Sequence, residues 1–206
     1  MCQIAVRFFK QLGLGTGRGA LASRQFRGYG RDMILSPALK RVALVAFTVA
    51  GLASTVLAQG QDPIPLGKFG DWAAYTYKTA SGKVCYVVSS PQGSEPKNAK
   101  RDPIFFLITH RPQQNVRNEV STIIGYPFKK DATVQLMVDD QGYQLFTNGD
   151  GAWADTSAKD KEIVTALRKG QKLSVKGVSW RGTETLDTYS LKGVKAAIDK
   201  IDESCK

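Results

Sequence analysis

Histidine, cysteine and long apolar runs are all scarce in this chain of 206 residues. His110 is the only histidine, so one copy of the chain cannot build a zinc site with several histidine ligands. No Gly-x-Ser-x-Gly elbow, the usual sequence signal of an α/β serine hydrolase, occurs after residue 58. Because His110 ends the alternating run Phe106, Ile108, His110, it is interpreted as a structural histidine at the edge of an apolar face. The sequence therefore predicts no catalytic residue, no metal ion and no cofactor.

The main long apolar run, Val42–Ala53, predicts export. Lys40 and Arg41 precede it, and Val56-Leu57-Ala58 then places small or medium-sized residues where a signal peptidase cleaves. We predict a signal peptide over residues 33–58, removed near Ala58, which delivers the protein to the periplasm or cell envelope. A retained membrane anchor is the alternative. On the preferred interpretation, this segment makes the only contact with a membrane.

Residues 1–32 are rich in arginine and are predicted to be a gene-model extension or a disordered leader, with Met33 as the true start. An organelle transit peptide is the alternative for this segment. Residues 59–68 are predicted to be a flexible lead-in, and residues 69–206 a single β-rich domain.

The net charge is also small once residues 1–58 are set aside. Residues 1–58 carry eight Lys or Arg and one acid, which is +7 of the formal +11 of the whole chain and leaves +4. The remaining lysines are interspersed with acids, whereas a nucleic-acid surface needs clustered cations with stacking aromatics. We therefore predict no nucleic-acid partner.

Two of the three cysteines remain after the leader, Cys85 and Cys205. Disulfides persist in an oxidising compartment. Cys205 lies at helical spacing from Ile198 and Ile201, on one apolar face, and Cys85 lies within the strand-like run Val84–Val88. We predict a bridge that fastens a C-terminal helix to a sheet. Two free buried cysteines are the alternative.

Short apolar runs bounded by turn residues predict a mainly β protein, an antiparallel β-sandwich or barrel-like sheet with two short helices, one of them C-terminal. The predicted strands are Phe69–Tyr77, Lys83–Ser89, Ile104–Thr109, Val116–Ile124, Ala132–Val138, Tyr143–Thr147, Lys172–Ser179 and Thr183–Leu191. One helix is predicted to begin at a Ser157 cap and end before Gly170, and the other begins near Val194.

Several aspartates could form an acid/base or calcium site, but turn chemistry explains them better. Asp139-Asp140 and Asn148-Gly149-Asp150-Gly151 have the composition of turns, and Asp155 follows shortly afterwards. The second fragment also lacks the ligand spacing and the bidentate Glu of an EF-hand loop.

A series of short fragments, taken in their order along the chain, carries a family resemblance over nearly all of residues 66–205. They are Phe69-Gly70-Asp71-Trp72, Lys83-Val84-Cys85-Tyr86, Arg101-Asp102-Pro103, Arg111-Pro112, Asn118-Glu119-Val120-Ser121, Gly125-Tyr126-Pro127-Phe128, Asp150-Gly151-Ala152-Trp153, Arg181-Gly182-Thr183 and Asp187-Thr188-Tyr189-Ser190-Leu191-Lys192-Gly193. This ordered set resembles the invasion-associated locus B family. The resemblance implies an exported alphaproteobacterial protein of the periplasm or envelope, in a family named for a member linked to entry into host red cells. It supplies no catalytic motif.

The sequence thus favours a non-enzymatic envelope protein that binds an unknown protein or envelope component. Trp153, Trp180 and Arg181 are the candidate interaction residues, because exposed aromatics and arginines supply much contact area at interfaces. Core packing is the alternative interpretation for the tryptophans. Two other functions stay open: a hydrolase or carbohydrate-active enzyme that uses Asp150 with a second carboxylate, and a carrier of a small apolar ligand.

Overall fold

A computed structural model describes residues 62–206 of the chain. The strands are β1 Ile64–Phe69, β2 Trp72–Thr79, β3 Gly82–Ser89, β4 Gly93–Glu95, β5 Phe105–Arg111, β6 Val116–Ile123, β7 Thr133–Val138, β8 Gln141–Asn148, β9 Gly151–Trp153, β10 Lys172–Val178 and β11 Glu184–Ser190. The helices are α1 Ser157–Leu167 and α2 Val194–Ser204, and a 3-10 turn covers Pro112–Gln114.

The strands form one antiparallel sheet in the order β1-β2-β3-β5-β6-β9-β8-β7-β10-β11-β4. Only three residues separate β3 from β4, although β4 is an edge strand and β3 is third from the other edge. The sheet must therefore fold back on itself. Cross-contacts confirm this closure, because the Trp72 Nε1–H in β2 donates to the Ser190 carbonyl in β11 at 3.0 Å. The predicted fold class, a sandwich-like antiparallel sheet with two helices, is confirmed for the described residues.

The core lies between the two halves of this sheet. β7 alternates exposed Thr133, Gln135 and Met137 with buried Val134, Leu136 and Val138, as its sequence predicts. Rings from both halves meet inside the sandwich: Trp72 contacts Phe106 edge-on at 6.1 Å between centroids, and Phe106 contacts Tyr189 at 5.9 Å. Burial of each such side chain contributes about 1.5–3 kcal/mol.

The C-terminal helix closes one side of the sandwich and carries the predicted bridge. α2 packs on β1, β2 and β3 through Val194, Ala197, Ile198 and Ile201, all of which are buried. Cys205, just beyond the helix, is bonded to Cys85 of β3 with a Cα–Cα distance of 6.0 Å. Both cysteines are buried, so the disulfide is a structural link.

Two predictions on local structure are wrong. The N-cap of α1 is Thr156 and not Ser157, because the Thr156 hydroxyl accepts the backbone N–H of Lys159 at 3.2 Å. The last residues of the predicted lead-in form β1 instead. Pro63 and Pro65 suggested flexibility, but β1 is an edge strand with a register shift between Pro65 and Gly67, where proline is tolerated.

A third correction concerns the predicted strand Phe69–Tyr77, which is two strands joined by a turn at Gly70-Asp71. Gly70 has a φ of +57°, which favours glycine, and an added Cβ would lie 2.4 Å from the Lys192 carbonyl oxygen. The predicted boundaries at residues 32 and 58 lie outside the described residues. Neither of the two described helices is long and apolar enough to cross a bilayer.

Candidate binding cleft

The β10–β11 hairpin ends in a tight turn that presents two of the predicted interaction residues, Trp180 and Arg181. The Gly182 N–H donates to the Ser179 carbonyl at 2.7 Å, the Ser179 N–H donates to the Thr183 carbonyl at 2.9 Å, and Gly182 adopts a φ of +84°. Trp180 also donates its backbone N–H to the Pro127 carbonyl at 3.0 Å. The backbone of this turn is thus fixed by the hairpin and by a neighbouring loop.

The Trp180 side chain is 60% exposed, although its backbone is held in place. The Arg181 guanidinium carbon lies 4.8 Å from the centroid of the indole ring, within the range of a cation–π contact. The hairpin therefore presents an exposed aromatic ring with a cation over one of its faces, on a fixed backbone.

Beside this pair lies a cleft of about 800 Å³. The hairpin and the segments 96–102 and 125–127 line it. The segments are tied together by backbone contacts, since the Asp102 N–H donates to the Gly125 carbonyl at 2.9 Å. Gly125 has a φ of +78°, and an added Cβ would lie 2.2 Å from the Asp102 carbonyl oxygen. The close approach of the two segments therefore requires glycine at this position.

Arg101, in the floor of the cleft, forms an ion pair that the sequence did not reveal. Arg101 donates to both carboxylate oxygens of Asp187, at 2.7 and 2.8 Å, and the Ser94 hydroxyl donates to the same carboxylate at 2.6 Å. The Arg101 side chain is 5% exposed and Asp187 is fully buried. The one available signal was position: Asp187 lies between buried Thr185 and Tyr189 on the core face of an alternating strand.

Tyr126 completes the floor. Its hydroxyl lies 2.7 Å from the Thr185 hydroxyl, and the Arg101 guanidinium carbon lies 5.8 Å from its ring centroid. Burial raises the pKa of the Tyr126 phenol above its ordinary value, more than the Thr185 hydrogen bond and the Arg101 charge lower it. The phenol therefore stays neutral and remains a hydrogen-bonding group.

Trp153, the third predicted interaction residue, does not line this cleft. It belongs to β9, is half-buried, and lies 5.9 Å from the Phe146 ring of the neighbouring strand β8. The structure thus brings Trp180 and Arg181 together and places Trp153 elsewhere on the sheet.

His110 occupies a structural position. It is fully buried in β5; its Nε2 lies 2.8 Å from the Asp202 carboxylate, and its Nδ1 accepts the Asn118 backbone N–H at 3.0 Å. Because Nδ1 accepts a hydrogen bond, Nε2 carries the proton and donates to Asp202. Both ring nitrogens are engaged in joining β5, β6 and α2.

The aspartates that could have formed an acid/base site do not converge. Asp139-Asp140 and Asp150 lie in turns at opposite ends of β8, and an eight-residue strand places such turns roughly 25 Å apart. The Asp139 carboxylate accepts the backbone N–H of Lys172 at 3.0 Å, so it joins its turn to the start of β10. Asp155 precedes α1, away from both turns. Within residues 62–206, no group of three or more His, Cys, Asp or Glu side chains is arranged to hold a metal ion.

These features define a class: an antiparallel sandwich with a disulfide-linked C-terminal helix and an open, partly charged surface cleft. The family model of the invasion associated locus B (IalB) protein matches residues 72–202, and the chain belongs to this family. The description of the family names no enzymatic activity.

Among solved structures, the crystal structure of invasion associated protein B from Bartonella henselae is similar to this chain. It is 16% identical, with a TM-score of 0.50, and the match covers 68% of this chain and 96% of that one. At this identity the likeness shows the fold alone. Comparison with curated proteins gives no match.

Proposed function

We propose that this protein is an exported, non-enzymatic component of the periplasm or cell envelope that binds a partner through the cleft beside Trp180 and Arg181. The observation that carries the proposal is the 60% exposure of Trp180 on a turn whose backbone is fixed by three hydrogen bonds. A large ring left in water on a rigid support is typical of a binding surface.

The rigidity of this surface favours tight binding. The hairpin, the ion pair of Arg101 with Asp187 and the Tyr126–Thr185 contact hold the cleft in one shape before a partner arrives. Binding then loses little conformational entropy, which lowers the free-energy cost of association. Trp and Arg are also the residue types that most often carry binding energy at interfaces.

The two other functions have less support. A carboxylate hydrolase needs a second acid near Asp150, and the nearest predicted candidates lie at other turns of the sheet. A carrier of an apolar ligand needs a dry enclosed cavity, whereas the sandwich interior is filled by a packed core and this cleft is open to solvent with charged side chains in its lining. The family description speaks of invasion, and this surface is where a contact with a host-cell component would take place.

Site-specific photo-crosslinking in the source bacterium tests the proposal. A benzophenone amino acid in place of Asn98, an exposed residue of the cleft lining, is expected to give a discrete crosslinked product on irradiation, and Trp180→Ala in the same chain is expected to remove it. The matched control places the same probe at Lys161, an exposed position on α1. No product at position 98, or the same products from both positions, would show that the cleft is not the binding surface.

A further inference from the structure

The cleft combines an aromatic ring with hydrogen-bonding walls. Trp180 provides the apolar surface, and the walls carry Asn98, Asp102 and Thr183, all exposed. Amide, carboxylate and hydroxyl groups in the same lining as an aromatic ring match a ligand with C–H faces and hydroxyl edges. A sugar ring has this chemistry, since its C–H bonds point to the faces and its hydroxyl groups to the rim.

The charges of the cleft leave a small positive surplus. The lining carries Lys100, Arg101 and Arg181 and one acid, the exposed Asp102. The buried Asp187, behind the lining, is bonded to both Arg101 terminal nitrogens and so neutralises Arg101. Lys100 and Arg181 against Asp102 leave one positive charge, which favours an anionic ligand.

Arg181 is the cation best placed to meet that charge. Its guanidinium lies over one face of the Trp180 ring, so a sugar stacks on the other face, and the exposed Arg181 side chain turns past the ring edge to reach the substituents of the sugar. A guanidinium binds a carboxylate through two parallel hydrogen bonds. A sugar acid supplies both parts, a ring for stacking on Trp180 and a carboxylate for the Arg181 guanidinium.

The alternative anionic ligand, an acidic peptide, fits the observations less well. It would use Lys100 and Arg181 but has no constant ring face for Trp180. A purely apolar ligand would leave the charged and amide groups of the walls without partners, which is costly.

From these observations we propose that the cleft binds a saccharide that bears uronic acid residues, with Trp180 as the stacking platform and Arg181 as the carboxylate ligand. The inference rests on the proposed binding function and specifies its ligand. Because the cleft is open at the surface, it takes an internal stretch of a polymer as well as its end. Carboxylated polysaccharides of an envelope or of a host-cell coat have this chemistry.

Titration of the oxidised chain with purified oligogalacturonate tests the inference, with calorimetry and tryptophan fluorescence as readouts. We expect saturable binding that changes the Trp180 emission and weakens in 0.5 M NaCl, because salt screens exposed charges. Trp180→Ala and Arg181→Ala are each expected to weaken binding about tenfold, and Trp180→Phe to retain part of it. Phe146→Ala, which removes an exposed ring outside the cleft, is the matched control and is expected to bind like the wild type.

Two comparison ligands complete the test. A neutral galactan oligosaccharide of equal length should bind about tenfold more weakly than oligogalacturonate, and polyglutamate should bind weakly and without dependence on Trp180. Polyglutamate binding as tight as that of oligogalacturonate would overturn the inference in favour of an acidic protein segment. No binding of oligogalacturonate at millimolar concentration would also overturn it. A site-specific crosslink at position 98 would then leave the broader binding function standing.

Discussion

At the scale of single residues, Asp160 shows how the fold can oppose the charge of a carboxylate. Asp160 is 8% exposed on α1, and one of its oxygens accepts the Val120 backbone N–H at 2.8 Å. Burial raises the pKa of Asp160 to about 7, in spite of the hydrogen bond from Val120, and the nearby Glu119 raises it further. Between its ordinary value of 3.8 and about 7, the folded protein holds a proton that the unfolded chain has lost. The free energy of unfolding therefore falls as the pH rises through this window.

The variant Asp160→Asn tests this assignment. The amide oxygen can still accept the Val120 N–H but never becomes charged, so we expect a melting temperature about 2–4 °C above that of the wild type at pH 8 and little difference at pH 4. The pH dependence of melting should be shallower in the variant. Asp131→Asn, at an exposed turn, is the control and should follow the wild type. A variant that is less stable at both pH values would mean that the ionised carboxylate is needed.

The buried ion pair of the cleft floor gives a second prediction at this scale. Asp187→Leu leaves the Arg101 guanidinium buried without its carboxylate, and we expect the free energy of unfolding in urea to fall by about 3–5 kcal/mol. Replacing both partners, as in Asp187→Leu with Arg101→Met, removes the unpaired charge and should recover most of this loss. A double variant as unstable as the single one would show that the Ser94 hydrogen bond carries the effect instead.

At the scale of elements, Gly193 allows the start of α2 to contact the β1–β2 turn. An added Cβ at Gly193 would lie 2.1 Å from the Phe69 carbonyl oxygen, and Gly193 has a φ of +89°. Gly182 has a similar φ of +84°, but nothing lies within 4 Å of an added Cβ. A substitution at Gly182 therefore tests backbone strain alone, and one at Gly193 tests backbone strain together with steric overlap.

We expect Gly182→Ala to lower the free energy of unfolding by about 1–2 kcal/mol, the cost of a left-handed backbone for alanine. Gly193→Ala should cost at least about 2 kcal/mol more, because the backbone of α2 or of the turn must also move. Chemical denaturation measures both values. Equal losses would show that the contact between the β1–β2 turn and α2 adjusts to the added Cβ without a loss of stability.

The same elements show how much of the fold and of the cleft could be predicted from the sequence. The alternation in β7 and the apolar face of α2 predicted structure correctly, since local spacing alone determines which side chains point inward. β4 was not predicted, because Gly93-Ser94-Glu95 has no strand propensity and pairs only where β11 passes beside it. For the cleft, sequence identified the exposed Trp180 and Arg181. It could not identify Arg101 with Asp187, because their contact joins residues 86 apart in sequence.

At the scale of the whole molecule, the disulfide closes a loop of 120 residues and fixes the last helix to the sheet. In the chain-entropy model a loop of this length contributes about 4–5 kcal/mol, and measured values are commonly about 2–4. Other contacts join the same region, including the His110–Asp202 hydrogen bond and the hydrogen bond from Arg117 to the Cys205 carbonyl at 2.9 Å. The bridge therefore adds stability to a fold whose α2 is already in place.

The bridge also links the fold to the predicted route of export, because such a disulfide persists in an oxidising compartment and is rare in the bacterial cytosol. Cleavage near Ala58 would leave five residues before β1, so the edge strand Ile64–Phe69 would remain intact. We expect the intact mass of native protein, isolated without reductant, to match residues 59–206 less two hydrogens. The same residues expressed without a leader in a reducing cytosol should carry two titratable thiols and melt at lower temperature. Full-length native protein with both thiols free would contradict export and the role of the bridge together.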